Sequence, residues 1–140
     1  MGGTGTRDVV VRVNDGDILL GIGVPDTLQV YDASNNTALA LGTVSLGRTD
    51  YANSLLGGLL GSNLRYGATG TASKMTMSAD KRTVTIVPGT FTASNILVGQ
   101  GTAGGTGTMT WTPTAGPKDL AGNALVLTPA IESGAGDEEF

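Results

Sequence analysis

The chain has 140 residues, 23 of them glycine, with no cysteine and no histidine, and 12 acidic against 8 basic side chains give a net charge of −4. One domain of this length buries about two-thirds of the surface its unfolded chain exposes. Composition alone excludes a disulfide framework, a thiolate metal site, a cysteine nucleophile, an imidazole base and a Ser-His-Asp triad.

Charge is unevenly placed. Residues 1–131 hold equal numbers of acids and bases, so the net charge comes from Glu132, Asp137, Glu138 and Glu139. A neutral body with an acidic tail offers nothing to neutralise a row of phosphates, which argues against nucleic acid and against anionic membrane surfaces. Every acid of the body is Asp, which suits turns, whereas Glu is the helix former. With abundant Thr and Gly, this composition points to strands joined by tight turns, an all-β chain.

The N-terminal Met1-Gly2-Gly3-Thr4-Gly5-Thr6-Arg7 lacks the basic and apolar regions of a signal peptide. It fits the myristoylation pattern, but no basic cluster supplies the second membrane signal that one acyl chain needs. Residues 1–7 are therefore expected to be a flexible arm, 8–131 a single sandwich domain and 132–140 an acidic tail. The apolar stretch Leu55-Leu56-Gly57-Gly58-Leu59-Leu60 is far shorter than the roughly 20 residues that span a bilayer, so no membrane insertion is expected.

In chain order, Asp8–Val13 reads as a strand, followed by the turn Asn14-Asp15-Gly16-Asp17 and a return arm over Ile18–Gly23. Pro25-Asp26 breaks the chain. Thr27–Tyr31 alternates with period two, Ala33–Asn36 is a turn, and Ala38–Leu46 reads as the next strand. Tyr51, Leu55, Leu56, Leu59 and Leu60 fall near helical spacing, so a short helix near 51–60 or a loop tucking leucines under the sheet is expected. Lys74–Ser78 and Thr83–Val87 form the clearest hairpin, with Met75, Met77, Val84 and Ile86 on the apolar face and threonines outward. Ile96–Val98, Thr108–Thr112 and Leu125–Leu127 complete about seven or eight short antiparallel strands, spaced as in a sandwich. Trp111 is expected in the core.

Two stretches, Met77–Pro88 and Lys118-Asp119-Leu120-Ala121-Gly122-Asn123-Ala124-Leu125, resemble bacterial Ig-like domains of the SbsA surface-layer type. The resemblance covers residues 74–127 and implies an Ig-like antiparallel β-sandwich. It implies little about task, because such sandwiches host many.

Candidate sites are sparse. Asp119 with Asn123, or Asp15 with Asp17, supply oxygen ligands of the kind Ca²⁺ takes, but too few for a calcium loop, and turn capping accounts for them. No metal and no cofactor is therefore expected. Asn35-Asn36-Thr37 has the glycosylation pattern by chance in a polar turn. The Gly99–Gly107 loop lacks the Lys-Ser/Thr of a phosphate loop. Lys74, Lys81 and Lys118 leave an internal Lys–Asn or Lys–Asp bond open, with nothing favouring it.

The expected function is that of a non-enzymatic structural or adhesive unit with protein partners, a homo-oligomer among the arrangements. One setting is a virion, as a capsid decoration or tail component: the chain opens at Met without a signal peptide, and the absence of cysteine suits assembly in a reducing cytoplasm. The other is a module of a secreted surface-layer or adhesin protein, which the resemblance favours. A carbohydrate-binding module is weaker, because only six aromatics exist and most should be core. Both ends are expected to act through partners, since glycine-rich segments cannot offset the roughly 1–2 kcal/mol of ordering each residue. Arg7 and the terminal Phe140 are the candidate partner contacts.

Overall fold

A computed structural model describes residues 5–19, 22–54, 63–80, 82–93, 98–100, 104–119 and 121–136, with 17–19, 22, 53–54 and 98–100 described as backbone only. The described residues are all-β, without helix, and antiparallel throughout. Their thirteen strands are β1 (Thr6–Asn14), β2 (Asp17–Leu19), β3 (Ile22–Gly23), β4 (Thr27–Asp32), β5 (Thr43–Ser45), β6 (Ala52–Ser54), β7 (Asn63–Tyr66), β8 (Ser73–Met77), β9 (Val84–Val87), β10 (Phe91–Ala93), β11 (Val98–Gln100), β12 (Thr110–Thr112) and β13 (Ala130–Ile131). Nine form one sheet in the order β10-β7-β1-β4-β5-β12-β13, with β8 also on β1 and β9 on β8; β6–β11 and β2–β3 are separate pairs.

The long, valine-rich β1 organises the sheet. One edge pairs with β4 from Val9↔Asp32 to Asn14↔Thr27. The other edge forks: Thr6–Val9 pair with β8 and Val11–Asn14 with β7. Ser73 holds the fork, its buried hydroxyl donating to the Tyr66 carbonyl at 2.8 Å and accepting from the Gly89 N–H at 2.8 Å.

Because strand side chains alternate, Val9, Val11 and Val13 share one face of β1. Register extends that face into an unbroken apolar row across seven strands: Ala93, Leu64, Val13, Leu28, Val44, Trp111, Ala130. The sheet curls around this face in a sandwich-like way. One cluster joins Val13 and Leu64 to Leu46, Tyr51 and Ala52; the other joins Val9, Val11, Val30 and Met75, with Ile86 and Leu41 against it.

Several expectations change. Ile18–Gly23 is no return arm for β1, which pairs with β4; β2 and β3 pair with each other. Ala38–Leu46 is interrupted, touching β4 only at the Tyr31↔Ala38 bridge before β5 begins. Gly42 stands between them at φ +90°, which side-chain-bearing residues avoid. Ala52–Ser54 is strand, not helix, and the rest of the leucine stretch, 55–60, lies outside the described residues, as do Ile96 and Leu97. Leu125–Leu127 form no strand; pairing with β12 resumes only after Pro129, which has no N–H to give a ladder. Thr6 and Arg7 belong to β1.

The 74–87 hairpin forms in register, Met75↔Ile86 and Met77↔Val84, with Thr76 and Thr85 exposed. Met75 is buried and Ile86 half-buried, but Val84 is 41% exposed and Trp111 36% exposed, so the expectation that both are core is corrected. Burial along the row fades from Leu64 and Val13 towards Trp111 and Ala130, where the curl no longer covers the sheet.

Truncation should follow that gradient. Leu64→Ala should cost about 2–5 kcal/mol, and Trp111→Ala should fall short of the roughly 3–5 kcal/mol of a fully buried aromatic, because about a third of the residue already meets water. Urea midpoints at unchanged m-value check the pair; a Trp111→Ala loss at the top of that range would mean that the row is core to its end.

Candidate functional site

The predicted site residues do not converge. Asp119 is the hub of an exposed turn closed by the Lys118↔Ala124 bridge. Its Oδ1 accepts from the N–H of Ala121 (2.9 Å) and of Asn123 (2.8 Å), and its Oδ2 from the Asn123 amide (2.8 Å). The Asn123 side chain, then its N–H, holds the Asp119 carboxyl below its usual range. Asp15 is buried near Asp26. The Asp17 backbone lies in β2, and its side chain, like Phe140, lies outside the described residues. Arg7 forms an ion pair with the buried Asp32, which also accepts from the Ser34 N–H at 2.7 Å. No three metal-ligating side chains gather among the described residues.

The remaining motifs are surface features. Asn35 and Asn36 sit in an exposed turn, with Asn36 at φ 58° and Asn35 accepting from the Thr37 N–H. The Gly/Thr loop docks through the Gly104 N–H on Asp50 at 2.9 Å. Arg48, bonded to both oxygens of Asp50, holds that carboxyl down at about 2. Lys74 pairs with Asp8 on exposed surface. No described helix is long and apolar enough to cross a membrane.

Two features escaped sequence reasoning. The first is Asp26, fully buried between strands. Its Oδ1 accepts from the Gly16 N–H at 2.9 Å and its Oδ2 from the Ala52 N–H at 2.8 Å, while its own backbone bonds Arg48 and Leu46. One carboxylate thus ties the turn after β1 to β6. Gly16 permits the close approach, because a Cβ there would lie 2.1 Å from the Val24 carbonyl oxygen. Burial pushes the Asp26 carboxyl up to about 6, against the opposing pull of the two N–H groups, and Asp15 adds to the upward push.

The second is an apolar groove of about 410 Å³. Leu28, Val30, Leu41 and Val44 line one wall; Val84 and Ile86 of β9 line the other, with Trp111 and Arg82 completing it. The row explains the first wall, since Leu28, Val44 and Trp111 stand side by side on β4, β5 and β12. The indole is fixed by its Nε1–H donating to the Leu41 carbonyl at 2.7 Å. At Gly42 a Cβ would lie 2.2 Å from the Thr112 carbonyl oxygen, so glycine lets this wall reach β12. Beyond β9 the curl has no further strand, since β9 pairs only with β8 among the described strands. The groove is the unclosed seam of the curled sheet, and its chemistry is that of apolar contact. The only sequence signal was a large aromatic between two threonines, which a core strand shares.

Comparison of the chain with protein-family models, with curated proteins and with solved structures finds no match.

Asp26 gives a pH signature. A folded-state value near 6 against 3.8 means that its contribution to stability is fully present below the unfolded value and is lost as pH rises through about 6. The swing is roughly 3 kcal/mol. Asp50 has the opposite sign: its contribution is present above 3.8 and lost as pH falls towards 2. Asp26→Asn should therefore remove the pH dependence of the urea midpoint between about pH 4 and pH 6. An unchanged profile would assign that window to another group.

Proposed function

We propose that this chain is a non-enzymatic structural module that works by binding protein within a larger assembly. The open apolar seam carries the reading: a contiguous patch of aliphatic side chains around a fixed indole marks an interaction surface. Val87, Leu125, Val126 and Ile131 extend the exposed apolar surface elsewhere. The chemistry of the chain supports the non-enzymatic part, because without His or Cys its candidate acids serve as turn and loop hubs.

The setting we propose first is a virion, with the chain as a capsid decoration or tail component; the cysteine-free composition supports it. A secreted surface-layer or adhesin module, cell-surface or extracellular, is the second reading. It draws support from the likeness of residues 74–127 to Ig-like domains of that type, and from the hairpin and Asp119 turn within that stretch. A sugar-binding role is weaker, since sugars want polar groups converging beside the ring and the walls near Trp111 are mostly aliphatic.

Fractionating the producing cells separates these settings. Mass spectrometry of purified particles should find the chain at stoichiometric amounts, and enrichment in the envelope or medium would move it to the second reading. A chain recovered only free of any assembly overturns the proposal.

A further inference from the structure

No described residue fills the seam, and the same chain displays an apolar projection. Leu125, Val126 and Leu127 are 37%, 73% and 52% exposed. They are consecutive aliphatic residues held at both ends. On one side stand the Lys118↔Ala124 bridge and a bond from the Leu125 N–H to the Pro117 carbonyl; on the other, β13 pairs with β12 and the Glu132 N–H bonds the Met109 carbonyl. A projection anchored in this way presents its side chains at little further cost in chain entropy.

We propose that the seam between β9 and β12 receives the Leu125–Leu127 projection of a second copy of this chain, which rests on the reading of the protein as an assembly module. Charge selects the occupant. Arg82 stands exposed at the groove, and no ion pair engages it among the described residues. The half-buried Glu132 comes after the projection, on the far side of β13, and Asp137, Glu138 and Glu139 follow in sequence. An aliphatic segment with acids behind it matches an aliphatic groove with a cation on its wall. The projection and the groove are different patches of one surface, so the contact is head-to-tail unless two copies exchange projections around a two-fold axis.

The single tryptophan reports occupancy. Sedimentation of the full chain over a concentration series should show self-association, with Trp111 emission shifting to the blue as the indole leaves water. Val126→Asp, at an exposed position that leaves the fold intact by circular dichroism, should weaken association about tenfold or more. Val84→Arg should do the same from the groove side. A mixture of the two variants keeps one intact groove and one intact projection, so it should recover a heterodimer. The inference is overturned if the wild type stays monomeric, if both variants associate like wild type, or if a small apolar dye binds the seam of a persistently monomeric chain. A monomeric chain that still co-purifies with its particle or envelope would sink this inference and leave the proposed function standing.

Discussion

Everything in this fold hangs on the pairing of β1 along both of its edges. A nine-residue strand is long for a domain whose other described strands run from two to six residues. It engages β4 on one side and divides the other between β7 and β8. Short strands cannot specify their own register, because a slip of one residue turns every side chain to the opposite face. Anchored to β1, they inherit it. The apolar row from Ala93 to Ala130 is the consequence: one register decision at Val13, between Leu64 and Leu28, is carried outward strand by strand.

Forking one edge between two strands leaves a gap in the ladder, and polar side chains close it. Ser73 bridges the end of β7 and the loop before β10 at the point where β8 departs. Asp26 performs the matching task at the other end of β1, holding N–H groups of two segments far apart in sequence. Buried backbone N–H groups without partners cost about 1–3 kcal/mol each, so a carboxylate can be tolerated in the interior where it satisfies two. The upward push on its titration measures what that burial costs. Both residues are short, as a side chain wedged between backbone segments must be.

What the sequence disclosed follows from the same physics. Alternation is a local signal, so β1, β4 and the β8–β9 hairpin were legible, as was the Asp119 turn, whose bonds span four residues at most. Pairing partners were not. Nothing local distinguishes a β1 that turns back through Ile18 from one that waits for Thr27, and Asp26 after a proline looks like any turn former. The strands β7 and β10 are three or four residues long among glycines, and they pair because β1 and β7 offer them an edge, while β6 finds its partner only in β11. Trp111 carries the same lesson in a sharper form. Its alternation with Thr110 and Thr112 identifies the face it occupies, and that face is the core face of the row. Whether the face is covered at β12 depends on how far the sheet curls, which no stretch of local sequence encodes.

The open seam is tied to the composition of the chain. Among the described residues its core is built mainly from valine and leucine around the fully buried Tyr51, with the largest aromatic standing at the edge of the curl. Side chains of that size fill the concave face near β1, where strands approach from both sides, but β9 brings only Val84 and Ile86 to the seam. A bulkier residue at Val84 would close it within one chain and bury the indole, at the gain that covering apolar area brings. The chain instead holds the indole in place through Leu41, and keeps glycine at position 42 so that the wall can form. A wall held in this way around a space that no described residue fills favours the proposed contact role, whereas a merely deficient core would leave its aromatic free to swing. That fixed wall is the observation on which the proposed interaction module rests.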